Sequence, residues 1–182
     1  MGVSQTARGD CNVQIVGDNN NSITNFIDIG QVSLTHSLIY ELLGFIYSAP
    51  SPVNDDYSFK DPAEMHDKLR YNNARRYISI IDNHSDDYAR LCDVIKDYAN
   101  SEDIVKKLRD MFLRVAGVDD NGELIVADGD SQLDQIEERL VGIIVSDARY
   151  DAEMYPIEKV EQFCIALMAY GVSVCKVLLR PE

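Results

Sequence analysis

Residues 156–179, PIEKVEQFCIALMAYGVSVCKVLL, contain the longest charge-free apolar run of the chain, residues 162–175. Pro156 suits the first turn of a helix, where its missing N–H is not needed. Apolar side chains then occupy nearly every face of the helix that this pattern predicts, so the helix must be buried on all sides. Such a helix is either the centre of a helical bundle or one half of a subunit interface, and the sequence leaves both open.

The segments before this stretch show the 3.6-residue apolar spacing of helices that each bury one face. Their predicted starts are polar residues that suit a helix N-terminus: Ser33, Asp61, Ser85, Ser101 and Ser131. The first helix directs Leu42 and Phe45 inward, and the second runs unbroken to Ile81. Together with the last helix, these segments predict a mainly α fold, an antiparallel bundle of about six helices.

A short acidic segment interrupts this helical pattern. Residues 118–126 predict a small hairpin that turns at Asn121 and Gly122, because Asn-Gly favours the positive φ angles of tight turns. Clustered acidic residues on an exposed turn suit a basic protein partner. The residues predicted to bind it are Asp119, Asp120 and Glu123.

The N-terminal region differs from the rest because it repeats an eight-residue unit. Residues 9–16 and 17–24 share the frame G-D-x-N-x-x-I-x, which suits a turn followed by a short strand. Ile15 and Ile23 would stack on one side, and residues 26–29 predict a third strand. So few units bury too little apolar surface to stand alone, which predicts a surface that joins chains. The alternative is a plain hairpin that lies on the helical body.

These patterns divide the chain into a β-strand assembly appendage, residues 1–31, and a helical bundle domain, residues 32–182. The bundle is long enough to bury a core of its own. The predicted partner-binding residues of the appendage are Val13, Ile15, Ile23, Phe26 and Ile27.

Composition restricts the partners and the compartment. The net charge is −14, from 17 basic and 31 acidic residues. It argues against direct nucleic-acid binding, because affinity for phosphate depends on clustered Lys and Arg. Four scattered cysteines without a CxxC pair are typical of core residues in a reducing compartment. No apolar run reaches the ~20 residues that span a bilayer, so we expect a cytoplasmic protein without membrane contact.

No pattern in the sequence predicts a catalytic residue, a cofactor or a metal site. His36, His66 and His84 are isolated from one another and from the cysteines, whereas zinc ligands are closely spaced. Adjacent carboxylates such as Glu137 and Glu138 point to different faces of a helix. We therefore expect a non-catalytic protein. A small helical enzyme or ligand-binding domain stays open as a third alternative.

Residues 5–15, QTARGDCNVQI, followed by Gly17-Asp18-Asn19-Asn20, are similar to the Q-x-x-G-D-x-N-x-Q-I tags that precede helical domains in bacterial conflict proteins. These proteins include components of three-component ABC-ATPase defence systems of the Lamassu type. The resemblance implies a small middle subunit that bridges an SMC-like ATPase to a nuclease or another toxic effector. It also implies that this subunit holds the effector inactive until the ATPase senses foreign DNA.

The first expectation is therefore an adaptor subunit of an anti-phage defence complex, with the ATPase and the effector as protein partners. The alternative is a self-assembling homo-oligomeric scaffold that stacks through its N-terminal units. A discrete oligomer of the purified chain that collapses on deletion of residues 1–30 would favour the scaffold. Dependence on co-expressed neighbours would favour the adaptor.

Overall fold

The computed structural model describes residues 36–49 and 62–181. Within these residues the chain forms seven helices and one two-stranded antiparallel sheet. The elements are α1 (Leu38–Ser48), α2 (Pro62–Tyr71), α3 (Arg75–Asn83), α4 (Ser85–Ile95), α5 (Ser101–Val115), β1 (Gly117–Val118), β2 (Leu124–Ile125), α6 (Gly129–Val145) and α7 (Ile157–Ser173). The predicted mainly α bundle with a small hairpin is confirmed. The predicted appendage, and its division from the bundle after residue 31, lie outside the described residues.

Helix α7 is the centre of the bundle. It contacts α2, α3, α4, α5 and α6, and its middle, from Phe163 to Ala169, is buried without interruption. Each large aliphatic side chain buried here, such as Leu167, contributes roughly 2 kcal/mol relative to an exposed position. Of the two readings that the sequence left open, the structure supports the helix at the centre of the bundle.

The predicted single helix from Asp61 to Ile81 is wrong, because the chain breaks between α2 and α3. Asn73 has a φ of 54°, a left-handed conformation that asparagine tolerates better than most residues. The N–H of Ala74 donates to the carbonyl of Leu69 at 2.8 Å, and the N–H of Asn73 donates to that of Arg70 at 3.1 Å. This pair of hydrogen bonds is the Schellman motif that ends helices. The break explains why the described residues contain one helix more than predicted.

Carboxylates of α6 hold α3 in place. No side chain of its own caps α3; instead, Asp130 accepts hydrogen bonds from the N–H groups of Arg76 at 3.1 Å and Tyr77 at 3.3 Å. The buried hydroxyl of Tyr77 lies 2.9 Å from a carboxylate oxygen of Asp134 and 2.7 Å from one of Glu137. Burial, followed by these carboxylates, raises the pKa of Tyr77, so the hydroxyl stays a donor. The start of α3 is thus capped from another helix.

Helix α6 begins two residues before its predicted start at Ser131. The carboxylate of Asp128 caps it by accepting a hydrogen bond from the N–H of Ser131 at 3.1 Å. Gly129 permits this start, since a Cβ at that position would clash with the carbonyl oxygen of Asn72. The absence of a side chain at residue 129 therefore lets α6 approach the turn between α2 and α3.

Helix α7 ends at Ser173, not at Leu179 as predicted. Cys175 has a φ of 58°, and the N–H of Lys176 donates to the carbonyl of Gly171 at 3.0 Å. A left-handed residue with this hydrogen bond ends a helix. Apolar spacing continues past this point, which explains the longer prediction.

Helix α1 begins at Leu38 rather than after Ser33. The hydroxyl of Ser37 accepts a hydrogen bond from the N–H of Ile39 at 3.1 Å and so caps the helix. Both serines satisfy the sequence rule for an N-cap. Ser37 is the one that a buried carboxylate from another part of the chain contacts, as described below.

Candidate protein-binding surfaces

Phe45 is exposed, although the apolar spacing of α1 predicts it to point inward. Its side chain is 54% exposed. The buried face of α1 consists of Ile39, Leu42, Leu43 and Ile46. At 3.6 residues per turn, Phe45 lies about 110° from the centre of that face. The prediction was wrong because four aliphatic residues already complete the buried side of this helix.

Phe45 lines a groove between α1 and α4, which we call the α1–α4 groove. Its volume is about 690 Å³, and Val94 and Tyr98 extend its apolar surface. The rings of Phe45 and Tyr98 lie 5.5 Å apart between centroids, a distance at which aromatic rings attract each other. Exposed aromatic side chains beside a groove are frequent anchor points of protein–protein contacts.

Carboxylates surround the apolar part of the α1–α4 groove. They belong to Glu41, Asp93 and Asp97. Glu41 lies 3.2 Å from the hydroxyl of Tyr98 and 3.2 Å from Arg149, and Asp93 pairs with Lys96 at 2.8 Å. Asp97 is exposed and forms no ion pair with any described residue. Asp97 therefore offers a negative charge to a basic partner, whereas Glu41 and Asp93 already have cationic neighbours.

A buried carboxylate fixes the N-terminus of α1 and with it the groove. The side chain of Asp147 is fully buried. It accepts hydrogen bonds from the N–H of Ser37 at 2.6 Å and from the backbone N–H, Nε and Nη2 of Arg149 at 2.9, 2.9 and 3.0 Å. The hydrogen bonds from Arg149 hold the pKa of Asp147 well below its usual range. Because Arg149 also contacts Glu41, this network reaches the groove rim.

The predicted acidic hairpin is formed by β1 and β2. Gly122, at the predicted turn, has a φ of 85°. The carboxylate of Asp119 accepts hydrogen bonds from the N–H groups of Glu123 at 2.8 Å and Asn121 at 2.9 Å, and these bonds lower the pKa of Asp119. Asp119 therefore stabilises the turn, while Asp120 and Glu123 are exposed. That these three residues bind a partner stays a prediction.

The other predicted partner-binding residues lie outside the described residues. They are Val13, Ile15, Ile23, Phe26 and Ile27. Their role, and the choice between stacked units and a plain hairpin, stays a prediction.

The chain after α7 contains a cysteine between two cations. Buried Lys68 donates a hydrogen bond to the carbonyl of Val172 at 2.8 Å. Burial raises the pKa of the Cys175 thiol, but hydrogen bonds and charge from Arg180 and Lys68 outweigh this effect and lower the pKa. By contrast, burial raises the pKa of Cys164, which lies in the core as predicted. A thiol with a lowered pKa is more often the reactive thiolate.

Comparison with protein-family models, curated proteins and solved structures finds no match for this chain. In the part of the chain that the structure describes, no group of three or more His, Cys, Asp or Glu residues could hold a metal ion. No helix there is long and apolar enough to cross a membrane. Inference about function therefore starts from the surfaces of this chain and from its N-terminal motif.

Sequence reasoning missed Phe45 as a surface residue and Asp147 as an anchor. For Phe45 a signal exists, since the aliphatic residues of α1 complete an apolar face without it. For Asp147 there is none, because its partner Ser37 is 110 positions away. The same holds for Lys68 and Val172, which are 104 positions apart.

Proposed function

We propose that this chain is a non-catalytic adaptor subunit of a bacterial anti-phage defence complex in the cytoplasm. It bridges an SMC-like ATPase and a toxic effector such as a nuclease. The resemblance of residues 5–15 to tags of such systems supports this type of complex. A binding role for the bundle is supported by one observation: in the α1–α4 groove, Phe45 is exposed beside Tyr98 and acidic rim residues.

The chemistry of this groove favours a basic, amphipathic segment of a protein partner. An apolar side chain of that segment packs against Phe45 and Tyr98, and its Lys or Arg residues meet the carboxylates of Glu41 and Asp97. An amphipathic helix laid in a groove is a common recognition mode and buries its apolar side chains there. Complementary charge speeds association and excludes acidic competitors.

The groove alone is too small to explain a stable complex. Burying the exposed part of one aromatic side chain contributes about 1–2 kcal/mol, whereas micromolar affinity corresponds to about 8 kcal/mol. A second contact on the same partner adds to the first without the full entropy cost of association. The N-terminal region, with its repeated units, supplies such a second contact.

Co-expression tests this proposal. The affinity-tagged full chain is expressed with the products of the genes that flank its own, and the retained proteins are identified by mass spectrometry. We expect an SMC-like ATPase and an effector to be retained, and Phe45→Asp to reduce retention of one of them. The matched control is Met154→Asp, which changes an apolar residue of similar exposure, 59%, outside the groove.

Two results would contradict separate parts of the proposal. If wild-type chain retains no ATPase, the defence assignment is wrong. If Phe45→Asp retains both partners as well as Met154→Asp does, the α1–α4 groove is not the binding surface. Helical circular dichroism of each variant establishes that the bundle has folded.

A further inference from the structure

A second groove, between α5 and α6, has the opposite charge, and we call it the α5–α6 groove. Its volume is about 500 Å³. Helix α5 contributes Lys107, Met111 and Arg114, which follow the spacing of one helix face, and α6 contributes Arg139 and Ile143 in the same way. Three cations thus surround an apolar floor.

These three cations are unpaired in a chain with an excess of acid. Five of the fifteen lysines and arginines in the described residues form ion pairs with carboxylates. Lys107, Arg114 and Arg139 are among those that form none there, and they lie together in one groove. Asp110 lies on α5 within one turn of Lys107 and Arg114 and pairs with neither. With 31 acidic and 17 basic residues in the chain, neighbouring unpaired cations point to an anionic partner.

The acidic hairpin has the properties that this groove requires. Asp120 and Glu123 are exposed and form no ion pair with any residue that the structure describes. Val118 is 60% exposed and Ile125 is 44% exposed, so the hairpin also presents apolar surface. The hydrogen bonds to Asp119 hold the turn in one conformation before any contact forms. Binding it therefore costs little ordering entropy.

We propose that the α5–α6 groove binds the acidic hairpin of a second copy of this chain. Asp120 and Glu123 of one copy pair with Arg114 and Arg139 of the other. Val118 and Ile125 lie on opposite faces of the hairpin, so one of these exposed aliphatic side chains packs on the groove floor. The hairpin begins three positions after Arg114, so it and the groove adjoin the same end of α5. Two copies related by a twofold axis therefore make the contact twice.

The second copy suits the groove better than nucleic acid does. Ile143 in the floor is only partly buried and gains from apolar contact that a phosphate backbone does not supply. The net charge of −14 also repels phosphate at longer range. A specific interface usually buries at least about 1,000 Å² in total. Making the hairpin contact twice brings the buried area of the dimer closer to that value. This inference is independent of the defence role and of the N-terminal repeat.

Charge exchange between the two surfaces tests the inference in the full-length chain. One variant carries Arg114→Glu and Arg139→Glu, and the other carries Asp120→Lys and Glu123→Lys. Sedimentation equilibrium over a concentration series gives the dimer dissociation constant for each. We expect wild type to dimerise and each variant alone to dimerise at least about tenfold more weakly, because like charges then meet at both contacts.

Mixing the two variants separates this contact from a general effect of charge. In the mixed dimer the reversed hairpin meets the reversed groove, and the native hairpin meets the native groove, so affinity should return to the wild-type range. A variant with Arg70→Glu and Lys96→Glu reverses two cations outside the groove and should dimerise like wild type.

Three results would overturn the inference. The first is a wild-type chain that stays monomeric throughout the series, and the second is a mixture that associates no better than either variant alone. The third is a dimer that Ile15→Asp with Ile23→Asp abolishes while the groove reversal leaves it intact, which would assign association to the N-terminal repeat. In the first case, fluorescence anisotropy with labelled duplex DNA, for wild type and the groove reversal, determines whether nucleic acid is the anion.

Discussion

Replacing Asp147 with asparagine tests how the start of α1 is held. Each carboxylate oxygen of Asp147 accepts two hydrogen bonds: one oxygen binds Ser37 and Nη2 of Arg149, and the other binds the backbone N–H and Nε of Arg149. Asparagine keeps the size of the side chain but converts one oxygen into an NH₂ donor. In either orientation of the amide, that donor faces two other donors.

The expected cost follows from the burial of the two partners. Removing one partner of a buried ion pair costs about 3–5 kcal/mol, and a hydrogen bond to a charged group contributes about 1.5–3 kcal/mol. Arg149 is partly exposed and keeps Glu41, so water replaces some of the lost interaction and the smaller figure applies. We expect Asp147→Asn to lower the free energy of unfolding by about 2 kcal/mol and Tm by roughly 4–8 °C.

The pH dependence provides a second measurement. The pKa of Asp147 is held well below its value of about 3.9 in an unfolded chain. The carboxylate therefore stabilises the fold fully above about pH 4, and this contribution is lost as pH falls through the lowered pKa. Thermal unfolding followed by circular dichroism should show a difference between wild type and Asp147→Asn that shrinks towards acid pH.

Glu138→Gln is the matched control, because it removes the same charge from an exposed position on α6. It should unfold within about 1 °C of wild type, as most surface substitutions do. If Asp147→Asn unfolds together with this control, or if its deficit stays constant into the acid range, Asp147 does not anchor α1 in the way the hydrogen bonds indicate.

Four further predictions concern the thiols and the backbone. Iodoacetamide at neutral pH should alkylate Cys175 faster than Cys164 in the folded chain, because the first thiol has a lowered pKa and the second is buried with a raised one. Peptide mass spectrometry measures the extent of alkylation at each cysteine. Equal rates would contradict the lowering of the Cys175 pKa by Lys68 and Arg180. Gly129→Ala should lower the free energy of unfolding by about 1–3 kcal/mol through its backbone clash. Gly142→Ala, whose Cβ would meet nothing within 4 Å, should stabilise α6 instead, by up to about 1 kcal/mol. Asn73→Gly should leave Tm unchanged or raise it, whereas Asn73→Val should cost about 1–2 kcal/mol at this left-handed position, as thermal melts would show.

The sequence predicts the existence of the central helix because burial on all sides is encoded locally in residues 157–173, although the same apolar pattern wrongly extends the helix to Leu179. It does not predict the break at Asn73, since Asn-Asn-Ala contains neither Gly nor Pro and is compatible with a helix. What supports a new helix start there is Asp130, which caps α3 from 53 positions away. Element type thus follows from local pattern, whereas this boundary depends on a tertiary contact.

The candidate surfaces are harder to predict for a related reason. Apolar periodicity assigns Phe45 to the core because it treats every apolar residue near the inner side of a helix as buried. Only the angular position of Phe45 on α1 shows that it lies beside the buried face, at the groove. The acidic hairpin is predictable, because Asn-Gly fixes the turn within a few residues. That Asp119 serves the turn while Asp120 and Glu123 are exposed depends on hydrogen bonds that only the structure shows.

Net charge and groove chemistry together determine where specificity can arise. On a chain of net charge −14, negative surface is abundant, so a basic partner finds weak attraction at many places. The α1–α4 groove differs from those places by its exposed aromatic anchor, Phe45, so that residue rather than the rim carboxylates should govern how long a partner stays bound. In the α5–α6 groove, charged residues rather than an apolar anchor should determine specificity. Three cations lie together in this groove, so Arg114 and Arg139 themselves should determine which anionic segment binds, and the apolar floor adds affinity.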